Sequence, residues 1–187
     1  MSNFLRKIFL IFISLSLSLC SSLYRASDIV TFIDQYMDTH AIKSYYVTID
    51  PNNLLDEMDH KVLEKYQNHI FDKYGLVTII IVARGFESYG DNLLSFIQQF
   101  LKEFRKSFDL QRLKCFFSVI SINDHGIAID VTNRIKHIYN DEVLKSLIDK
   151  MVVTFDQNHL FLTIYNLLKN IEKGEKQFEQ NGIITDL

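Results

Sequence analysis

Two spacings of apolar residues alternate along the chain. From Leu54 to Tyr74, apolar residues fall at Leu55, Met58, Val62, Leu63, Tyr66, Ile70 and Phe71. That is one stripe of an amphipathic helix, and Gly75 follows where a left-handed cap would close it. "LVTIIIVAR" (76–84) then runs apolar without a break, the mark of a strand covered on both faces. "SYYVTI" (44–49) is β-branched and aromatic, predicts a strand, and ends in the turn residues "DPNN". Asp91 or Asn92 opens a helix through Leu94, Phe96, Ile97, Phe100, Leu101 and Phe104. "LKCFFSVISI" and "IAIDVT" predict a third and a fourth strand, joined by the turn "NDHG". Asn140 caps a helix over "NDEVLKSLIDKMVVTF", with Asp141 and Glu142 in the favourable first turn. "NHLFLTIYNLLKNIEKG" predicts a last helix, and the polar residues 175–187 read as a flexible tail. A short helix is also expected near the start, with Ile29, Phe32, Ile33 and Tyr36 at helical spacing after Ser27 and Asp28.

Strands that alternate with helices imply an α/β fold. The expected architecture is a three-layer α/β/α sandwich around a mixed, mostly parallel four-stranded sheet with one antiparallel hairpin. The first residues stand apart. Arg6 and Lys7 precede "IFLIFISLSLSLC", an uncharged run from Ile8 to Cys20, and Ser21 and Ser22 follow it. This pattern predicts a secretory signal peptide over 1–22, since the run is shorter than the roughly 20 residues that span a bilayer. An uncleaved signal anchor is the alternative. The expected division is therefore signal peptide 1–22, helical extension 23–43, α/β domain 44–174 and tail 175–187. No further apolar stretch is long enough to cross a membrane, so the expected location is the secretory pathway, outside the cell or in an organelle lumen.

Composition narrows the chemistry. The formal charge is −3, and it becomes −5 once Arg6 and Lys7 leave. An acidic chain without a basic cluster gives no support for nucleic-acid binding. Cys115 would be the one cysteine left in the mature chain, inside the apolar "LKCFFSVI", so an internal disulfide is excluded and dithiol redox work is disfavoured. There is no Cys-x-x-Cys, His-Glu-x-x-His, EF-hand loop, phosphate-binding glycine loop or Gly-x-Ser-x-Gly elbow. The six histidines, His40, His60, His69, His125, His137 and His159, are scattered singly.

Polar residues collect at strand ends. Asp50, Arg84 and Glu87 follow the parallel strands, and Asp124 and His125 join that carboxyl edge if the third strand is parallel too. Ligands in open α/β sheets bind there. Thr132, Asn133, Arg134 and Asp141 belong to the other edge. The oxygens of Asp50, Asp124, Asp130 and Asp141 suit a hard cation, but the same residues serve equally as turn residues and caps. The Asp-His-Gly tip of the hairpin reads mainly as turn chemistry.

The order of elements and three stretches, "YYVTIDPNNLLDEMDHKVLEKY", "VTIIIVARGF" and "KCFFSVISINDHGIAIDV", resemble the TPM-domain family. "IYNDEVLKSLID" and "VTFDQNHLFLTIYNLL" continue the likeness, which covers about residues 44–172. The family takes in thylakoid-lumen phosphatase-like proteins, photosystem repair factors and nematode levamisole-receptor modulators. Two departures stand out. "VTNRIKH" after the fourth strand has no glycine where the family usually has Gly-x-Gly-like residues, and glycines there would let backbone approach a metal or phosphate. The transmembrane segment that often follows the domain has no counterpart. Asp50 and Asp141 match acidic positions of the family. The resemblance implies a secreted or lumenal, non-enzymatic accessory domain that assists a membrane protein complex or receptor. The alternative it implies is a weak divalent-metal-dependent, acid-phosphatase-like hydrolase using Ca²⁺ or Mg²⁺, held by Asp50 and Asp141 with Asp124 or Asp130 assisting. No other cofactor is expected. A secreted α/β carrier domain of another kind is the reading left if the likeness fails.

Overall fold

The structure is a computed structural model and describes residues 47–86, 93–107, 113–155 and 159–184. The signal peptide and helical extension expected over 1–43, and Glu87, lie outside those residues. The described elements run β1 (Val47–Ile49), α1 (Glu57–Tyr74), β2 (Leu76–Ala83), α2 (Leu93–Ser107), β3 (Lys114–Ser121), β4 (Gly126–Val131), α3 (Asp141–Thr154) and α4 (Leu160–Asn181).

The helix signals in the chain act where they stand. Asp56 caps α1 by accepting from the Asp59 amide, Glu57 and Asp59 fill the first turn and Lys73 the last. Gly75 closes the helix in the left-handed region at φ 64°, and its N–H reaches the Phe71 carbonyl at 2.8 Å. Asn140 caps α3 through the Val143 amide at 3.0 Å.

The four strands form one sheet in the order β1-β2-β3-β4. β1, β2 and β3 are parallel and β4 is antiparallel to β3, so the fold is an α/β sandwich around a mixed, mostly parallel sheet. β2 is buried along its whole length, because alternate residues enter two cores. Leu76, Ile80 and Val82 join Phe116, Ile120, Ile129 and the apolar stripes of α1, α3 and α4 on one face. Val77, Ile79, Ile81 and Ala83 join Phe117, Val119 and the Phe96, Ile97 and Phe100 stripe of α2 on the other. Cys115 lies in that second core.

The sheet grows in one lateral direction from β1 to β3, yet α1 covers one face and α2 the other. Two parallel crossovers that step the same way on opposite faces have opposite hands. One of them therefore departs from the right-handed rule. Nothing in residue spacing announces this.

The flexible tail expected from residue 175 needs correction. α4 continues to Asn181, and Gly182 caps it in the left-handed region at φ 71°. Glu175 is buried, and Phe178 packs against the first core with its ring 5.9 Å from that of His137. Ile171, Gly174, Glu175 and Phe178 form one helical stripe. With Glu175 counted as polar and exposed, the stripe is invisible in the sequence.

Candidate functional site at the carboxyl edge

The parallel pairing of β3 with β2 brings Asp124 and His125 to the edge that Asp50 and Arg84 occupy. Three chain reversals meet there, and the backbone joins them. The Ile122 amide donates to the Ala83 carbonyl at 3.0 Å, and the Asn123 amide to the Arg84 carbonyl at 2.7 Å. The Asn52 side-chain oxygen accepts from the Arg84 amide at 2.9 Å, which ties the loop after β1 to the loop after β2.

Asp50 sits in the corner where β1 turns into α1. The Asn53 amide reaches the Asp50 carbonyl at 3.2 Å, and Asn53 adopts a left-handed φ of 50°, which Asn tolerates well among non-glycine residues. The Asp50 carboxylate has no exposed surface. Its Oδ2 accepts from the Leu55 amide at 2.7 Å and lies 3.6 Å from His60 Nε2, on the first turn of α1. Its Oδ1 is buried without a hydrogen-bond partner. A carboxylate oxygen that has left water without a replacement donor is costly, and in native proteins such an atom calls for an explanation.

The hairpin tip is a four-residue loop, with Ser121 and Gly126 as the last strand pair. The His125 amide returns to the Ile122 carbonyl at 3.2 Å, and His125 takes a left-handed φ of 46°. The Ser121 hydroxyl donates to the Asp124 carboxylate, so this acid is engaged in shaping the turn. The His125 ring stands edge-on to Phe155, 6.3 Å away, at the end of α3. Arg84, Asn123, Asp124 and His125 are exposed.

The remaining candidate aspartates are elsewhere. Asp130 is the penultimate residue of edge strand β4, opposite Phe117, and its Oδ1 accepts from the adjacent Val131 amide at 2.8 Å. Asp141 is exposed in the first turn of α3. The far end of that 14-residue helix is the one that meets His125, so Asp141 is about 20 Å from the carboxyl edge. The structure thus brings Asp50 and Asp124 to one edge and leaves Asp130 and Asp141 apart from it. Among the described residues, no three of His, Cys, Asp and Glu gather to hold a metal ion.

Sequence reasoning missed His60 and Asn52 as members of this edge. His60 stands ten residues beyond Asp50, on a helix whose direction only the tertiary fold supplies. A second polar cluster was also missed, between α1 and α4. Tyr66 donates to Glu172 at 2.5 Å, His69 lies 3.1 Å from the same carboxylate and Lys73 3.6 Å from it. The Tyr66 hydrogen bond, with help from His69 and Lys73, holds the Glu172 carboxyl below its ordinary range. Burial, with the Glu172 carboxylate beside it, pushes the Tyr66 hydroxyl up. The spacing 66, 69, 73 is a helical stripe and could have raised suspicion, but its partner lies 106 positions along the chain.

No protein-family model matches the chain, and no curated protein matches it. Among solved structures, the chain is similar to the N-terminal domain of a protein from P. gingivalis, determined by NMR in solution. The two share 11% sequence identity over 88% of this chain and 98% of that one, with a TM-score of 0.60. At that identity the likeness shows a common fold and nothing finer.

Proposed function

We propose that the chain is a TPM-type domain acting as a secreted or lumenal accessory module, which assists a membrane protein complex or receptor without turnover of its own. The observation that carries this reading is the cross-tied carboxyl edge. Asn52, Arg84, Asn123 and the Asp50 corner hold three loops to one another, and Arg84, Asn123 and His125 stand outward on that frame. A surface whose backbone is already fixed loses little freedom on binding, which favours recognition. No described helix is long and apolar enough to cross a membrane.

The test is binding of the chain lacking residues 1–22 to membranes that carry the partner complex, compared with Arg84→Ala and His125→Ala. Arg84→Ala should fold with unchanged Tm and His125→Ala with a slightly lowered one, since His125 holds a left-handed φ and a ring contact with Phe155, and both should lose most of the bound fraction. Binding that ignores both substitutions overturns the assignment of this edge.

One observation favours a second reading, a divalent-metal-dependent phosphatase. The unpartnered, buried Oδ1 of Asp50 is the kind of oxygen a hard cation takes. The four aspartates do not fit one ion, because Asp141 stands at the far end of α3, so no catalytic step is drawn through it. Ca²⁺ or Mg²⁺ at millimolar concentration that raises Tm in the parent and not in Asp50→Asn, together with ion-dependent hydrolysis of p-nitrophenyl phosphate, would replace the accessory reading with this one.

A further inference from the structure

Glu175 is an acid in an unusual place. It is 3% exposed, and its Oε1 is buried with no hydrogen-bond partner. Four elements meet around it. Tyr139, from the segment before α3, lies beside the carboxyl. Lys114, at the start of β3, attracts it, and its ammonium also donates to the Tyr74 carbonyl at the end of α1, at 3.4 Å. Tyr74 brings a buried hydroxyl that has no partner. Glu179, one turn further along α4, repels it.

Burial decides the state of the carboxyl. The Tyr139 hydroxyl also lies 3.3 Å from the Ile171 carbonyl. An ionised Glu175 would hold its Oε1 in an apolar site with no donor to replace water. Burial holds the Glu175 carboxyl above its ordinary range, against the Tyr139 hydroxyl and the Lys114 ammonium, which favour the ionised form, and Glu179 reinforces it. The Tyr139 hydroxyl is itself raised by burial and keeps its proton.

We infer that Glu175 is a proton-operated latch on the end of α4: protonated, it seats the last turns of the helix on the amino edge of the sheet, and ionised, it drives them off. The chain provides a place for the break. Gly174 directly precedes Glu175, and glycine is the weakest helix former after proline. Beyond it, the seat consists of Phe178 against His137 and of Phe178 and Ile184 against the core. Opening would expose Ile138 and Tyr139, both buried when the latch is closed. The direction follows from the raised carboxyl. The seated form binds the proton more tightly than the open one, so seating is complete below the ordinary carboxyl range and weakens as pH rises through the value in the closed form.

The experiment is amide hydrogen exchange of the full chain between pH 5 and 8.5, corrected for intrinsic exchange rate. The residues read are 176–181, with those of α3 as internal reference. Protection of 176–181 should fall severalfold as pH rises, while α3 stays constant. In Glu175→Gln, which cannot ionise, protection should be flat with pH. In Lys114→Gln, which removes the attracting charge, the fall should move to higher pH. Protection of 176–181 that does not change with pH, that changes equally in Glu175→Gln, or that falls in step with α3 would overturn the latch.

Discussion

Replacing Gln67 with Leu tests how α1 is fastened to the sheet. Gln67 is fully buried on the inner face of α1. Its amide nitrogen donates to the Thr78 carbonyl in β2 at 3.0 Å, and its oxygen accepts from the Thr48 hydroxyl in β1 at 2.9 Å. One side chain thus spans both strands under the helix. Leu is close in volume and removes both bonds. Each bond contributes about 0.5–1.5 kcal/mol net, and the Thr48 hydroxyl, 8% exposed, would be left in an apolar layer at about 1–3 kcal/mol. The better hydrophobic packing of Leu offsets part of this, so the expected loss is about 2–3 kcal/mol. Urea unfolding should show a lower midpoint with an unchanged slope, because the exposed area on unfolding is the same. Adding Thr48→Val should recover about 1 kcal/mol, since both partners are then apolar. A Gln67→Leu loss under about 0.5 kcal/mol, or a double variant that is simply additive, would refute the claim that this side chain couples α1 to β1.

Other substitutions test separate parts of the account. Thr78 is fully buried and its hydroxyl has no partner, so Thr78→Val, which keeps the shape, should raise stability by roughly 1 kcal/mol in the same assay. Glu172→Gln should destabilise the protein at neutral pH and converge on the parent in acid. The lowered carboxyl contributes stability above its unfolded-state pKa, and that contribution is lost as pH falls through the folded value; thermal unfolding from pH 3 to 8 reads the convergence. Cys115 is buried and its thiol is pushed up to about 12, so with Cys20 replaced by Ser the native chain should resist a thiol reagent at pH 8 and react stoichiometrically once unfolded in urea.

Much of the fold was legible because it is written in local physics. The 3.6-residue stripes of α1 and α3, the caps at Asn140 and Gly75, the unbroken run of β2 and the hairpin turn at Asp124 each act within a few residues of themselves. The α/β class and the antiparallel edge strand followed from their order. At the carboxyl edge, Asp50, Arg84 and Asp124 could be named from strand ends alone once the strands were taken as parallel. Their partners could not. Asn52 meets Arg84 across 32 positions, and in the separate cluster between α1 and α4, Glu172 meets Tyr66 across 106.

Three matters were left to the tertiary structure. Periodicity is blind to handedness, so the opposite hands of the two crossovers came only from seeing α1 and α2 on opposite faces. Spacing also cannot say which end of a helix a residue occupies relative to a distant strand, and so the four aspartates read together in the chain are dispersed in the fold. Last, a charged residue reads as exposed until its surroundings are known. Glu175 is buried because Tyr139, Lys114 and the end of α1 converge on it from remote parts of the chain, and burial is a property of that convergence, not of the residue.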